Sequence, residues 1–183
     1  MNRTAALQAS SWSVVSGATA SNNIGMQPPT SIQIRSAVLA DAPLLQEFNC
    51  ALAQETESRA LDAGVVHAGV MAFLTDPGKG RYFVAESGGA IAGQLALTYE
   101  WSDWRNGNFW WIQSVYVRAD FRARGVFRAL YQHVEQLARQ TGGCCGLRLY
   151  VEHHNTRAHE VYRRLGLASA GYEVLEKDFT RGQ

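Results

Sequence analysis

Three strand-like runs joined by two hairpin signals constrain this chain more than any other feature. Tyr82 to Ala85 is followed by Gly88-Gly89, and Ile91 to Tyr99 by Asn106-Gly107, which opens the run from Phe109 to Val117. Gly-Gly and Asn-Gly pairs supply the positive φ that a tight antiparallel turn needs. The spacing predicts a three-stranded meander. Strict alternation puts Ile91, Gly93, Leu95, Leu97 and Tyr99 on one face of the second strand. In the third strand it groups Trp111, Gln113 and Val115 on one face, and Trp110, Ile112 and Ser114 on the other.

Helical patterns bracket the meander. Ile32 to Arg35 reads as a short strand, and Asp41 is placed to cap a helix carrying Leu44, Leu45, Phe48, Leu52 and Ala53 on one face. Glu55, Thr56 and Glu57 read as an acidic connection to a second helix, Leu61 to Leu74, which Asp76-Pro77-Gly78 ends. After the meander, Gly125 to Arg139 repeats apolar residues at helical spacing, and Gly142-Gly143 breaks it. A strand from Leu147 to Val151, a helix from Thr156 to Leu165 and a last strand from Tyr172 to Leu175 follow. The expected class is α/β (α+β): a mixed, mostly antiparallel central sheet with helices on both faces.

Residues 31–183 have the length of one domain with a core of its own. Residues 1–30 differ, being rich in Ala, Ser, Thr and Asn. Ala18-Thr19-Ala20 imitates a secretory cleavage site, but Gln8, Ser10, Ser11 and Ser13 interrupt the apolar stretch before it. The expectation is a flexible leader. A net charge of +1 gives no general attraction to nucleic acid or membrane, and no run reaches the roughly 20 apolar residues of a spanning helix. Cys50, Cys144 and Cys145 are an odd set without a CxxC, so neither a disulfide framework nor a metal site is expected, and the cytoplasm is the natural setting.

The chemistry concentrates where the third strand runs out: Ser114-Val115-Tyr116-Val117-Arg118-Ala119-Asp120-Phe121-Arg122-Ala123-Arg124-Gly125-Val126-Phe127-Arg128. A helix starting near Gly125 presents unpaired N–H groups and the positive end of its dipole. With Arg122, Arg124 and Arg128 alongside, that is an anion site suited to pyrophosphate. A solvated basic helix face accounts for the same residues equally well.

This stretch resembles the acyl-CoA-binding motif of the GNAT superfamily, Q/R-x-x-G-x-G/A, with Arg122 and Gly125 at its first positions and Phe127 where Gly or Ala is normal. Asn155, Ala158, Tyr162 and Gly166 match the family's later N-x-x-A-x-x-x-Y-x-x-x-G-F motif, with Leu167 in place of Phe. The resemblance covers about residues 31–178 and implies an acetyl-CoA-dependent N-acetyltransferase without a metal, acting directly through a ternary complex. It implies that the strand ending at Val117 splays from Leu147–Val151. The acyl-CoA would then pair with Val115, Tyr116 and Val117, rest on Arg122, Ala123, Arg124, Gly125, Val126, Phe127 and Arg128, and bond Asn155. Tyr162 would protonate the leaving thiolate. The family is often dimeric, which leaves a homodimer open for this chain.

The acceptor would be a small-molecule or peptide amine. Glu100, after the second strand, is the first choice of base and Asp103 the second; the plainer reading pairs Glu100 with an Arg such as Arg105. Trp101, Trp104, Trp110 and Trp111 crowd one hairpin. At least two of these belong to packing, while Trp101 and Trp104, with Glu55 and Glu57, are candidates for an acceptor mouth that favours a cation. His153 and His154 read as loop residues, and Cys144 and Cys145 as ordinary small residues entering a strand. A non-catalytic acyl-CoA sensor is the alternative function. A nucleic-acid-binding domain is disfavoured by the near-neutral charge. Because residues 1–29 lack a periodic apolar face, deleting them should leave unfolding cooperativity and acetyl-CoA affinity nearly unchanged, as read by denaturant melts and calorimetry.

Overall fold

Backbone pairing, more than side-chain pattern, decides the architecture of residues 31–179, the part of the chain described by the computed structural model. The elements are β1 (Gln33–Ser36), α1 (Ala42–Glu57), α2 (Ala63–Thr75), β2 (Arg81–Ser87), β3 (Ala90–Ser102), β4 (Gly107–Val117), α3 (Val126–Gln140), β5 (Cys144–Leu149) and α4 (Thr156–Arg164). Short 3₁₀ turns sit at Leu39–Asp41 and Ala119–Phe121. The sheet order is β1-β2-β3-β4-β5, antiparallel throughout except for the parallel β4–β5 pair. This is the mixed, mostly antiparallel sheet expected. The leader, residues 1–30, lies outside the described residues.

Both faces of the sheet are covered where alternating residues are apolar. Phe83, Leu95, Leu97 and Ile112 pack against Val126, Leu130 and Val134 of α3 and Ala158 and Tyr162 of α4. Val84 and Ala96, one residue out of phase, pack with Leu45 of α1 and Val70 of α2. Two helical layers therefore follow from period-2 burial on both sides of β2 and β3.

The structure corrects several expectations. Asp41 does not cap α1 with its side chain. Its carboxylate takes Nη1 and Nη2 of Arg35 at 2.7 and 3.0 Å and the Val38 N–H at 2.8 Å. The Arg35 guanidinium holds the Asp41 carboxyl below the usual carboxylate range. Asp62 is the residue that caps, accepting the Val65 N–H at 2.8 Å, so α2 starts at Ala63 rather than Leu61. Glu55–Glu57 form the last turn of α1, not a connection. In β3, Leu95, Leu97 and Tyr99 share a face as expected, but Ile91 lies on the other one with the α1–α2 core. A register shift opposite Ala85/Glu86 inserts Ala92 as an extra residue and reverses the phase before it. β5 begins at Cys144 and ends at Leu149, short of Val151. No strand forms at Tyr172–Leu175, where Tyr172 and Leu175 are exposed. A four-residue apolar-rich run is a weak signal, and without a neighbour to pair with it makes no ladder.

Gly93 is a steric requirement of the β3–β4 contact. A Cβ there would stand 2.6 Å from the Tyr116 carbonyl oxygen and 3.3 Å from Val117 Cα, both backbone. At Gly146 the close atom is the Phe109 ring, at 2.9 Å, which can turn. Gly93→Ala should therefore lower stability by roughly 1–3 kcal/mol and Gly146→Ala by less, measured as urea midpoints at unchanged m-value.

Candidate acyl-group and acceptor site

The sheet opens between β4 and β5. Their parallel pairing runs from Asn108↔Cys144 to Ile112↔Leu149 and stops, while β4 continues to Val117. On the β5 side, the edge from Gln113 to Val117 has no strand partner among the described residues. Its backbone groups face a notch that an extended ligand can pair with.

A β-bulge shapes this notch. On the β3 side Gln94 faces Tyr116 and Ala96 faces Gln113, so Ser114 and Val115 together oppose Leu95. Ser114 adopts φ 47°, rare for a residue with a side chain. The extra residue reverses the alternation. Trp111 and Gln113 share a face, but Val115 does not join them: it packs in the α3–α4 core with Ile112 and Val117. Tyr116 turns to α1, its ring 5.1 Å from Phe48. Buried polar groups hold the bulge. Gln94 Nε2 donates to the Ser114 carbonyl at 3.2 Å and to Asn49 Oδ1 at 2.8 Å, and Asn49 Nδ2 donates to the Tyr82 hydroxyl at 3.0 Å. Gln94, Asn49 and Ser114 were not singled out from the sequence. The available signal was Gln94 itself, a polar residue inside the apolar run Ala92–Leu97.

Beyond Val117 the chain makes a 3₁₀ turn and enters α3 through Gly125 at φ 84°, with no side-chain cap. Ala129 is the first residue whose N–H meets the Gly125 carbonyl, at 2.9 Å, leaving the amides of Val126, Phe127 and Arg128 without a helical acceptor. These amides can hold an anion. Arg122 is not a free cation beside them. Its Nε donates to the Val117 carbonyl at 2.9 Å and its Nη2 to Glu55 at 2.6 Å, and its guanidinium lies over the Tyr116 ring. Glu55 also accepts the Tyr116 hydroxyl at 3.1 Å. Glu55, expected at an acceptor mouth, is thus brought to the loop instead. Arg124 and Arg128 are exposed. Phe127 turns inward, its ring 6.1 Å from that of Tyr162.

From α4 come Asn155 and Tyr162. Asn155 Oδ1 caps the helix on the Ala158 N–H at 3.0 Å, while its Nδ2 has no partner among the described residues. The Tyr162 ring is buried and its hydroxyl bonds nothing among the described residues. Burial pushes its pKa up to about 12. The buried side-chain polar atom lacking a partner among the described residues is Gln94 Oε1, so the Tyr162 hydroxyl keeps contact with solvent.

Glu100 lies opposite Phe109, four residues along β4 from Gln113. It pairs with Arg148, not Arg105: Arg148 Nη1 reaches both carboxylate oxygens at 2.6 and 2.8 Å, and the Trp111 indole N–H donates to Oε2. The indole bond, aided by Arg148, holds the Glu100 carboxyl below the usual range against the opposing effect of desolvation. Such a group is a fixed anion and a poor proton acceptor at neutral pH. Trp111 stacks on Tyr150 at 4.4 Å, and Trp110 is buried against Tyr99. Trp101 and Trp104 are 60% and 87% exposed at the hairpin end, and Asp103 there accepts the Trp104 N–H. His153 and His154 are exposed. Among the described residues no group of three metal-ligating side chains forms, and no helix is long and apolar enough to cross a membrane.

Comparison with known proteins gives matching geometry a context. Residues 45–167 match the Acetyltransferase (GNAT) family. A possible acetyltransferase from Clostridium difficile 630 superposes with a TM-score of 0.76 and 41% identity, over 80% of this chain and 97% of that one. A predicted acetyltransferase from Clostridium acetobutylicum, solved with acetyl-CoA, shares the fold with a TM-score of 0.66 at 17% identity, over 81% and 96% of the two chains. A thialysine N-epsilon-acetyltransferase of Bos taurus is 28% identical over 100 residues, 55% of this chain and 54% of that protein. The chain thus spans about half the length of this curated relative.

The Glu100–Trp111 bond yields a test of the site's electrostatics. A carboxyl with a lowered folded pKa stabilises the protein above its unfolded pKa, and that contribution is lost as pH falls through the folded value. The Trp111 indole N–H resonance should therefore shift only below the ordinary glutamate range. Arg148→Met should move the midpoint upward, and Glu100→Gln should abolish the titration.

Proposed function

The chain belongs to the acetyltransferase (GNAT) family, and from that premise we propose that it moves an acetyl group from acetyl-CoA directly to a primary amine in a ternary complex. The observation that carries this reading is the end of β4–β5 pairing at Ile112↔Leu149 while β4 runs on, bulged at Ser114, to Val117. An acyl-CoA arm fits the free edge of Gln113–Val117, its pyrophosphate the uncapped amides of Val126–Arg128, and a further bond the unused Nδ2 of Asn155. When bound, acetyl-CoA supplies an activated thioester.

The chain's own residues then have distinct tasks. Backbone N–H groups of the bulged segment polarise the acyl carbonyl. The amine nitrogen forms its bond to the acyl carbon as the carbon–sulfur bond breaks. The amine's proton goes to solvent, and Tyr162 donates its hydroxyl proton toward the leaving sulfur. A phenol pushed up to about 12 stays protonated throughout the working range but is a weak acid. Arg122 serves as an anchor of the loop on Val117 and Glu55, with the phosphate charge met by helix amides and by Arg124 and Arg128. We assign Glu100 the part of a fixed anion in the acceptor region in place of a base. The relative named for an N-epsilon amine supports a primary amine as acceptor. Three free thiols, Cys50, Cys144 and Cys145, support a reducing setting such as the cytoplasm.

A thiol-release assay with acetyl-CoA and a panel of primary amines tests the reading. Tyr162→Phe should bind acetyl-CoA normally and lose about 10²-fold in turnover. Activity of wild type should rise with pH toward the amine's own pKa, and Glu100→Gln should weaken acceptor use at every pH instead of at low pH alone. Acetyl-CoA binding with no thiol released from any amine would favour a sensor instead.

A further inference from the structure

Arg148, in the proposed acceptor region, leaves part of its guanidinium unbonded. It donates to Glu100 through Nη1 alone, and Nε and Nη2 meet no acceptor among the described residues. The Nε–Nη2 edge is a fork that grips a carboxylate with two parallel bonds. The guanidinium is held in place, 3.7 Å over the Phe109 ring and 5.8 Å from Trp111, and its side chain is 26% exposed. Glu100 beside it is 42% exposed, so both members of the pair keep a solvent-facing side. Trp111 and Tyr150 stack alongside. One face of the sheet thus presents a positive fork and a fixed carboxylate next to each other, the complement of a zwitterion.

Resting on the acetyl-transfer reading above, we propose that Arg148 and Glu100 bind the head group of a free α-amino acid, and that the acetylated nitrogen is a primary amine at the far end of its side chain. Arg148 takes the α-carboxylate on its Nε–Nη2 edge, and Glu100 takes the α-ammonium. The side chain of such an amino acid runs from this pair toward the notch beside the Ser114–Val115 bulge, and L-lysine serves as the probe of that class. Glu100 keeps the carboxylate from binding alone at that point without an ammonium to offset the repulsion, which makes both charges of the head group part of the recognition.

The test compares L-lysine, 6-aminohexanoate, which lacks the α-amine, and cadaverine, which lacks the carboxylate, by kcat/KM in thiol release. L-Lysine should exceed cadaverine by on the order of 10–100-fold, with most of the difference in KM. Arg148→Lys keeps a charge for Glu100 but removes the fork, and should narrow the lysine-to-cadaverine ratio. Glu100→Gln should narrow the lysine-to-6-aminohexanoate ratio. Cadaverine used as well as L-lysine would overturn the head-group site while leaving amine acetylation intact. Thiol release from no amine would instead overturn the acetyl-transfer reading. The head-group site is then judged by calorimetry on the CoA-loaded protein, where L-lysine binding no tighter than cadaverine would overturn it as well.

Discussion

The bulge at Ser114 is the constraint on which the rest of the site depends. One extra residue in β4 shifts Val115 and Val117 into the α3–α4 core and turns Tyr116 toward α1. It does so in the segment where β5 has already ended. A strand with a neighbour on one side and a notch on the other would normally invite any passing edge to pair with it. Here Val115 and Val117 of that edge are packed into the core with residues of α3 and α4. The bulge itself is maintained by a hydrogen-bonded chain, Gln94–Asn49–Tyr82, which links the α1–α2 side of the sheet to the Ser114 carbonyl. Gly93 then lets β3 pass close to the Tyr116 carbonyl.

Charge in this molecule is used in pairs. Arg122 spends its guanidinium on Glu55 and the Val117 carbonyl, which joins the end of α1 to the loop before α3. Glu100 and Arg148 neutralise one another across β3 and β5. A near-zero net charge is therefore no sign of an uncharged site. In these two pairs the opposite charges come from different parts of the chain, and the Arg122 pair also holds a backbone carbonyl. In the proposed reading a phosphate at α3 would rest on the backbone amides more than on the nearest Arg, because Arg122 is already bonded and those amides have no helical acceptor to give up.

Much of this was legible in the sequence for a physical reason. Helix and strand periods, Gly-Gly and Asn-Gly turns, and a glycine at a helix start are local properties, so the element order, the mixed sheet and the Gly125 entry to α3 could be read directly. So could the two spaced motifs around Arg122–Gly125 and Asn155–Gly166, because each lies on one continuous strand–helix or loop–helix unit.

What only the tertiary structure decided is everything that counts residues across strands. Alternation continued from Trp111 put Val115 on the wrong face because a bulge is invisible within one strand; it exists only as a mismatch with β3. The same holds for Ile91 and the extra Ala92. The partners of charged side chains were equally hidden: Glu100 met Arg148, 48 positions away, and Arg122 met Glu55, 67 positions away. The strand read at Tyr172–Leu175 failed for the converse reason, since its apolar residues were real but no neighbouring edge pairs with them among the described residues. Local periodicity determines what each segment can become, and pairing between distant segments determines which faces, charges and free backbone edges remain for chemistry.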